Sequence, residues 1–158
     1  MEHNSDEILL VEDNEQILKS TADSLEKIGF KVICARDGDI ALSIFLDRLN
    51  KGTPIKVVVT DMLMPKMNGM NLIKEIYRLR QQTAFIVCSA YKELKEDLEK
   101  FPCIRRVHIK PLNLKDVVRD LITIFTNREW EVIPSDLNQQ RIHKKAYEAI
   151  QTILKHLV

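Results

Sequence analysis

Val57-Val58-Val59-Thr60-Asp61-Met62-Leu63-Met64-Pro65 is the stretch on which the reading of this chain turns. A short β-branched run ends in one aspartate, and a loop containing proline begins at once. β-Branched residues suit the pleated surface of a strand. Burying a carboxylate costs several kcal/mol unless something compensates it. Asp61 therefore needs a cationic partner, or a place at the rim of a sheet where chemistry occurs.

Working outward, Ile8-Leu9-Leu10-Val11 is another continuous apolar run, stopped by Glu12-Asp13-Asn14. Asn14 is a good N-cap for a helix over 15–28, with apolar residues at Leu18, Ala22, Leu25 and Ile28 and a C-terminal stop at Gly29. A second strand spans Phe30 to Ala35. Ile40, Ala41, Ile44, Phe45 and Leu49 mark a second helix, and Ile55 to Thr60 is the third strand. After Asn68-Gly69, the residues Leu72, Ile73, Ile76, Tyr77 and Leu79 predict a third helix. Ala84 to Cys88 is a fourth strand, followed by a charged helix from about Lys92 to Lys100 with Leu94 and Leu98 inward. Arg105 to Ile109 is a weaker fifth strand, and Leu114, Val117, Val118, Leu121, Ile122 and Phe125 predict a fifth helix. Strict alternation over 8–126 implies right-handed crossovers and a doubly wound parallel α/β sheet covered on both faces. Strands buried on both faces need not alternate in polarity, and these do not.

A chain of 158 residues, 45% hydrophobic and 30% charged, has the make-up of an ordinary soluble globular protein. A net charge of +1 gives no basic surplus for nucleic-acid binding. No run approaches the roughly 18 apolar residues that cross a bilayer, and the acidic start Met1 to Glu7 does not resemble a secretory signal. Cys34, Cys88 and Cys103 show no metal or redox spacing, and those in strand-like runs read as buried, reduced thiols. His3, His108, His143 and His156 are scattered and read as surface residues. A cytoplasmic location is expected.

In open α/β sheets ligands bind outside the carboxyl ends of the strands. There the sequence places Glu12 and Asp13 after strand one, Asp61 after strand three, Ser89 after strand four and Lys110 after strand five. Clustered carboxylates are tolerable at neutral pH only with a cation. Oxygen ligands without His or Cys point to a hard ion, Mg²⁺ or Mn²⁺. With Lys110 as a point charge and Ser89 as a hydroxyl donor, these are the parts of a phosphoryl-transfer site, Asp61 being the nucleophile.

Taken together, Glu12-Asp13, Asp61 with Met64-Pro65 and Gly69, Ser89-Ala90 and Lys110-Pro111 resemble the receiver domain of two-component response regulators. The resemblance covers 8–126 and keeps every signature position in order. It implies the flavodoxin-like strand order 2-1-3-4-5 and phosphorylation of Asp61 by a sensor histidine kinase or a phosphotransfer protein. It further implies that Asp13, Asp61 and the main-chain oxygen of Leu63 hold Mg²⁺ directly and that Glu12 reaches it through water. Ser89 would contact the phosphoryl group and switch, Lys110 would pair with it, and the bond before Pro111 would be cis. Such a chain is not an enzyme beyond its own phosphorylation and autodephosphorylation.

Two departures matter. Receivers usually carry an aromatic residue three positions before the lysine as a rotamer switch, and here Val107 stands there. The positions two after the acceptor and two after the hydroxyl, which tune hydrolysis in the family, are Leu63 and Tyr91. Neither is an acid or amide able to orient an attacking water, so a comparatively long-lived acyl phosphate is expected.

Residues 1–7 read as a flexible N-terminus, 127–134 as a linker, and 135–158 as a C-terminal amphipathic helix capped by Ser135, with an apolar stripe of Ile142, Ala146, Ala149, Ile150, Ile153 and Leu157. A lone helix must bury such a stripe: against the receiver, against its twin in a homodimer, or on the way to an output domain. The fourth and fifth helices offer another dimer face. Two rival readings are a pseudo-receiver that only binds partners, and a phosphatase of the haloacid dehalogenase type. The latter places a second Asp where Leu63 stands.

Overall fold

The computed structural model describes residues 7–131 together with Glu148 and Thr152. Its elements are β1 (Glu7–Val11), α1 (Glu15–Ile28), β2 (Lys31–Ala35), α2 (Gly38–Asn50), β3 (Val57–Asp61), α3 (Gly69–Leu79), β4 (Ala84–Ser89), α4 (Lys95–Leu98), β5 (Ile104–Ile109) and α5 (Leu114–Thr126). All strand pairs are parallel, in the order β2-β1-β3-β4-β5. The doubly wound parallel sheet is the one that the alternation implied, and its flavodoxin-like order is the one that the receiver resemblance implied.

The strands supply side chains to two layers in turn. Val58, Leu9 and Phe85 face a core with Phe45, Leu72, Ile76, Leu94 and Leu98, beneath α2, α3 and α4. Val57, Val59, Ile8 and Ile86 face the other, with Leu18, Leu25, Val117, Leu121 and Ile124 from α1 and α5. Local signals set the helix ends. Asn14 accepts from the Ile17 N–H at 3.0 Å, Asp37 from Ile40 at 2.8 Å and Asn68 from Asn71 at 2.9 Å, each satisfying an orphan donor of the first turn. Gly29 closes α1 with φ 120°, a conformation that L side chains rarely adopt.

Several sequence expectations change. The helix expected from Lys92 to Lys100 is a 3₁₀ turn, Lys92–Leu94, leading into a single α-turn at α4; only Leu94 and Leu98 are buried there, too little apolar surface for a longer element. Cys34 is exposed, because β2 is an edge strand, whereas Cys88 and Cys103 are buried. Burial pushes both buried thiols up to about 12, so neither is a ready thiolate at neutral pH. Ile28 and Ile122, which continue the apolar periodicity of α1 and α5, are each 51% exposed. His108 is not a surface residue: its Nε2 lies 2.8 Å from Asp120 Oδ2, without the alignment of a hydrogen bond.

The linker expected after α5 is in part an ordered turn. Glu129–Glu131 form a 3₁₀ turn, and Trp130, 4% exposed, packs tilted against Phe125 with ring centres 5.6 Å apart, the Phe125 ring itself lying 5.9 Å from Phe30. Lys56 Nζ sits 5.1 Å from the centre of the Trp130 ring, a cation–π contact. Residues 1–6 and the helix expected over 135–158, Glu148 and Thr152 apart, lie outside the described residues. Among the described residues no helix is long and apolar enough to cross a membrane.

Candidate acidic site at the carboxyl edge of the sheet

β1 and β3 end side by side, with Val11 opposite Thr60, so Glu12, Asp13 and Asp61 emerge at one edge. Asp61 is the last residue of β3, opposite Cys88 of β4. Its main chain is fixed on several sides. The Thr60 hydroxyl donates to the Asp61 carbonyl at 2.9 Å, and the Met62 N–H donates to both the Cys88 carbonyl (3.0 Å) and Asp61 Oδ1 (2.8 Å). The loop then turns through Lys66, whose φ of 67° is left-handed, and returns so that the Gly69 N–H donates to the Met62 carbonyl at 2.7 Å. That approach leaves no space for a side chain: a Cβ on Gly69 would contact the Asp61 carbonyl oxygen and lie 2.9 Å from Met62 Cα.

Lys110 enters from β5. Its N–H donates to the Ser89 carbonyl at 2.8 Å, and the Lys110–Pro111 bond is cis, as the receiver resemblance implied. The ammonium donates to Asp61 Oδ2 at 2.9 Å and to Glu12 Oε2 at 3.2 Å. Glu12 Oε1 accepts from the Asn14 N–H at 3.1 Å, so both its oxygens are engaged, while Asp13 is exposed. The compensation that the apolar β3 run demanded is therefore a lysine bridging two buried acids.

The electrostatics follow from burial. Desolvation raises the Asp61 carboxyl above its ordinary value, with Asp13 adding repulsion, and the hydrogen bond and charge of Lys110 offset only part of this. Desolvation likewise raises Glu12, against the Asn14 and Lys110 contacts that lower it. Burial alone would lower Lys110, but the bond and charge of Asp61, with Glu12 behind them, hold it above its ordinary value. One ammonium thus faces three acids, a local excess of negative charge.

Glu12, Asp13 and Asp61 each offer an oxygen, all within 4.8 Å of one another. Oxygen donors at that spacing, short of one full counter-charge, fit a hard divalent cation. The remaining residues expected at the site divide. Ser89 is buried at the end of β4, where its Oγ accepts from the Tyr91 N–H at 3.0 Å; none of its described hydrogen bonds goes to the acids. Leu63, Tyr91 and Val107 are each partly buried against the core beneath α2, α3 and α4. Sequence reasoning missed Thr60 and the Met62 N–H, whose roles are main-chain contacts that no side-chain pattern announces.

It also missed a cluster at the start of β5, away from the acids. Phe85 pairs with Ile104 and Ile86 with Arg106, so Arg105 is an extra residue, a β-bulge. The bulge turns Arg105 and Arg106 to the α5 side, where Arg105 donates to the Glu129 carbonyl at 2.7 Å and Arg106 pairs with Asp120 at 3.4 Å and Glu129 at 3.6 Å.

A five-stranded parallel sheet with acids after β1 and β3 and a lysine after β5 defines a signalling receiver. The family model of the response regulator receiver domain matches residues 8–118, and the chain belongs to that family. Among curated relatives it is 28% identical over 123 residues to the transcriptional regulatory protein CpxR of Escherichia coli (strain K12), covering 78% of this chain and 50% of that protein. It is 30% identical over 111 residues to the regulatory protein AtoC of Escherichia coli, covering 70% of this chain and 23% of that protein. The chain thus spans half or less of either relative. Among solved structures, a response regulator receiver domain protein from Clostridium thermocellum superposes with a TM-score of 0.70 at 27% identity, covering 80% of this chain and 98% of that one.

Proposed function

We propose that the chain is a phosphoacceptor: Asp61 takes a phosphoryl group from a phosphohistidine of a sensor kinase or phosphotransfer protein, and its state governs partner binding or self-association. The observation that carries this reading is the Lys110 ammonium shared between Asp61 (2.9 Å) and Glu12 (3.2 Å), with three acids within 4.8 Å. A carboxylate oxygen of Asp61 attacks phosphorus in line, the P–N bond of the donor breaks as the O–P bond forms, and the donor imidazole regains a proton. The Met62 N–H fixes Asp61 Oδ1, which orients the nucleophile. Lys110 is placed to shift from the carboxylate to the charge gathering on the phosphoryl oxygens. Asp13, Asp61 and the main-chain oxygen of Leu63, with Glu12 behind them, would hold Mg²⁺ or Mn²⁺, which when bound neutralises phosphoryl charge. A response regulator of Thermotoga maritima, solved in complex with Mg²⁺ and BeF, superposes with a TM-score of 0.59 at 25% identity over 73% of this chain and 97% of that one, which supports the metal assignment. The near-neutral charge of the chain favours a protein partner over nucleic acid.

The test is intact mass after incubation with a small acyl phosphodonor. With Mg²⁺, one phosphoryl adduct that hydroxylamine removes is expected; with chelator, none. A folded chain that takes no adduct in Mg²⁺ would sink the reading.

Leu63 and Tyr91 set the expected lifetime of that adduct. Leu63→Asn, which supplies an amide able to hold a water near phosphorus, is expected to speed its decay by about ten-fold, less than the roughly hundred-fold or more of a positioned general base because an amide orients the water without taking its proton. An unchanged decay rate in the variant would remove Leu63 from the account.

A further inference from the structure

The helices α1 and α5 cover one face of the sheet but leave an apolar groove between them. Its wall on α5 is Leu114, Val118, Ile122 and Phe125, and Ile28 stands across it on α1. Two adjoining recesses of about 390 and 530 Å³ open along this seam, and Ile28 and Ile122 are each 51% exposed within it. Isolated exposed apolar residues are ordinary, but two large ones facing each other across a groove mark a surface that is covered by something.

The path of the chain names the occupant. α5 descends from the carboxyl edge of the sheet, and the chain leaves it at the foot of the groove. There Trp130 packs at 5.6 Å on Phe125, one of the residues lining the groove. Residues 132–134 separate that anchored turn from Ser135 and the amphipathic stretch behind it. A tether so short gives the following segment a local concentration in the millimolar range, well above what a second copy reaches in solution.

We infer that residues 135–158 fold back as a helix into the α1–α5 groove, antiparallel to α5, and bury their apolar stripe on Ile28, Val118 and Ile122. The lengths agree: Leu114 to Phe125 and Ile142 to Ile153 are each eleven residues apart, about 17 Å of helix at the standard rise. Running antiparallel, Ala146 comes level with Ile122, and Ile150 with Val118. The faces agree as well. Glu148 and Thr152 are helical and exposed, with the Thr152 hydroxyl donating to the Glu148 carbonyl at 2.9 Å; at about 100° per residue Glu148 lies on the far side from the stripe of Ile142, Ala146, Ala149 and Ile153, and Thr152 at its flank. The inference is independent of phosphorylation at Asp61.

Disulfide trapping in the full chain tests it. With Cys34→Ser removing the exposed thiol, and Cys88 and Cys103 buried, the pair Ile122→Cys with Ala146→Cys is compared with Ile122→Cys with Glu148→Cys. The first pair is expected to oxidise about ten-fold faster than the second and to run at monomer mass, because docking fixes one face toward α5. Equal rates for the two pairs would mean that the tether alone brings the segment near, and would overturn the docking. Cross-links at dimer mass would give the groove to a second copy, and no cross-link at all would leave residues 135–158 away from it; either result overturns the inference.

Discussion

Asp61→Asn is expected to abolish the phosphoryl adduct while leaving the metal-free fold at least as stable as the parent. The first half follows from chemistry, since an amide is not a nucleophile toward phosphorus and nothing else at the edge stands in its place: Glu12 has both oxygens engaged and Asp13 is exposed outside the Lys110 contacts. The second half follows from burial. Desolvation holds the Asp61 carboxyl above its ordinary value even with Lys110 beside it, so folding favours the protonated acid. For an acid whose folded pKa is raised, the penalty is absent below the ordinary carboxylate value, grows as pH rises through the window up to the folded value, and is full above it. A neutral isostere removes it. Urea unfolding without metal is therefore expected to give the variant an equal or higher midpoint at pH 7, and the difference from the parent shrinks in acid. Mg²⁺ reverses the order, because a ligand that binds only the folded state stabilises it and the variant has lost one ligand acid. An adduct of parental yield on the variant would remove Asp61 as acceptor; a variant much less stable than the parent without metal would remove the buried-charge account.

The two halves together describe a site in which stability is given up for function. Two buried acids share one ammonium with Asp13 beside them, and the shortfall in positive charge is what a divalent cation and then a phosphoryl group would exploit in the proposed function. Lys110 links this site to β5, and β5 is tied through the Arg105 bulge and Arg106 to Asp120 and Glu129 at the end of the fold. Val107 stands where an aromatic switch is usual, and this polar connection on the α5 side runs from β5 to the point where the chain leaves α5.

What was legible in the sequence was local. Val57–Val59 and Ile8–Val11 announce buried strands because no polar residue interrupts them, and Asn14 and Gly29 fix the ends of α1 because each acts on its own backbone. The acids after β1 and β3 were legible because parallel strands bring their carboxyl ends together whatever the details. What was not legible depends on partners distant in sequence. The bulge at Arg105 exists only in the pairing with Phe85 and Ile86. The exposure of Cys34 follows from the edge position of β2, and Trp130 is buried by Phe125 and by Lys56, far away in the chain. Ile28 and Ile122 keep perfect helical periodicity yet face outward, since periodicity marks an apolar face without saying what covers it.

Gly69→Ala is expected to be the most damaging single-methyl change among the glycines, at about 3 kcal/mol or more, the upper range for overpacking a site that cannot relax. The new Cβ would meet the Asp61 carbonyl oxygen and lie 2.9 Å from Met62 Cα and 3.2 Å from the Asp61 carbonyl carbon. All three are backbone atoms, and they are pinned: the Thr60 hydroxyl donates to that same carbonyl at 2.9 Å, while the Gly69 N–H holds the Met62 carbonyl at 2.7 Å. Relief requires the loop after Asp61 to move off β3, which breaks the contact between the Gly69 N–H and Met62 and shifts the nucleophile. Gly38→Ala is the comparison. Its Cβ would lie 2.8 Å from Met67 Cβ, 3.0 Å from Met67 Cγ and 3.0 Å from the Met67 carbonyl oxygen, so the half-buried loop at Met67 must shift, but no strand backbone is met, and a smaller loss of about 2 kcal/mol is expected, the middle of the same range. Urea denaturation of the two variants measures the order, and the phosphodonor assay on folded Gly69→Ala measures the displacement of Asp61, with loss of most of the adduct expected. Equal stabilities for the two variants, or a Gly69→Ala protein that accepts phosphate as the parent does, would show that the loop after β3 has slack that these contacts deny.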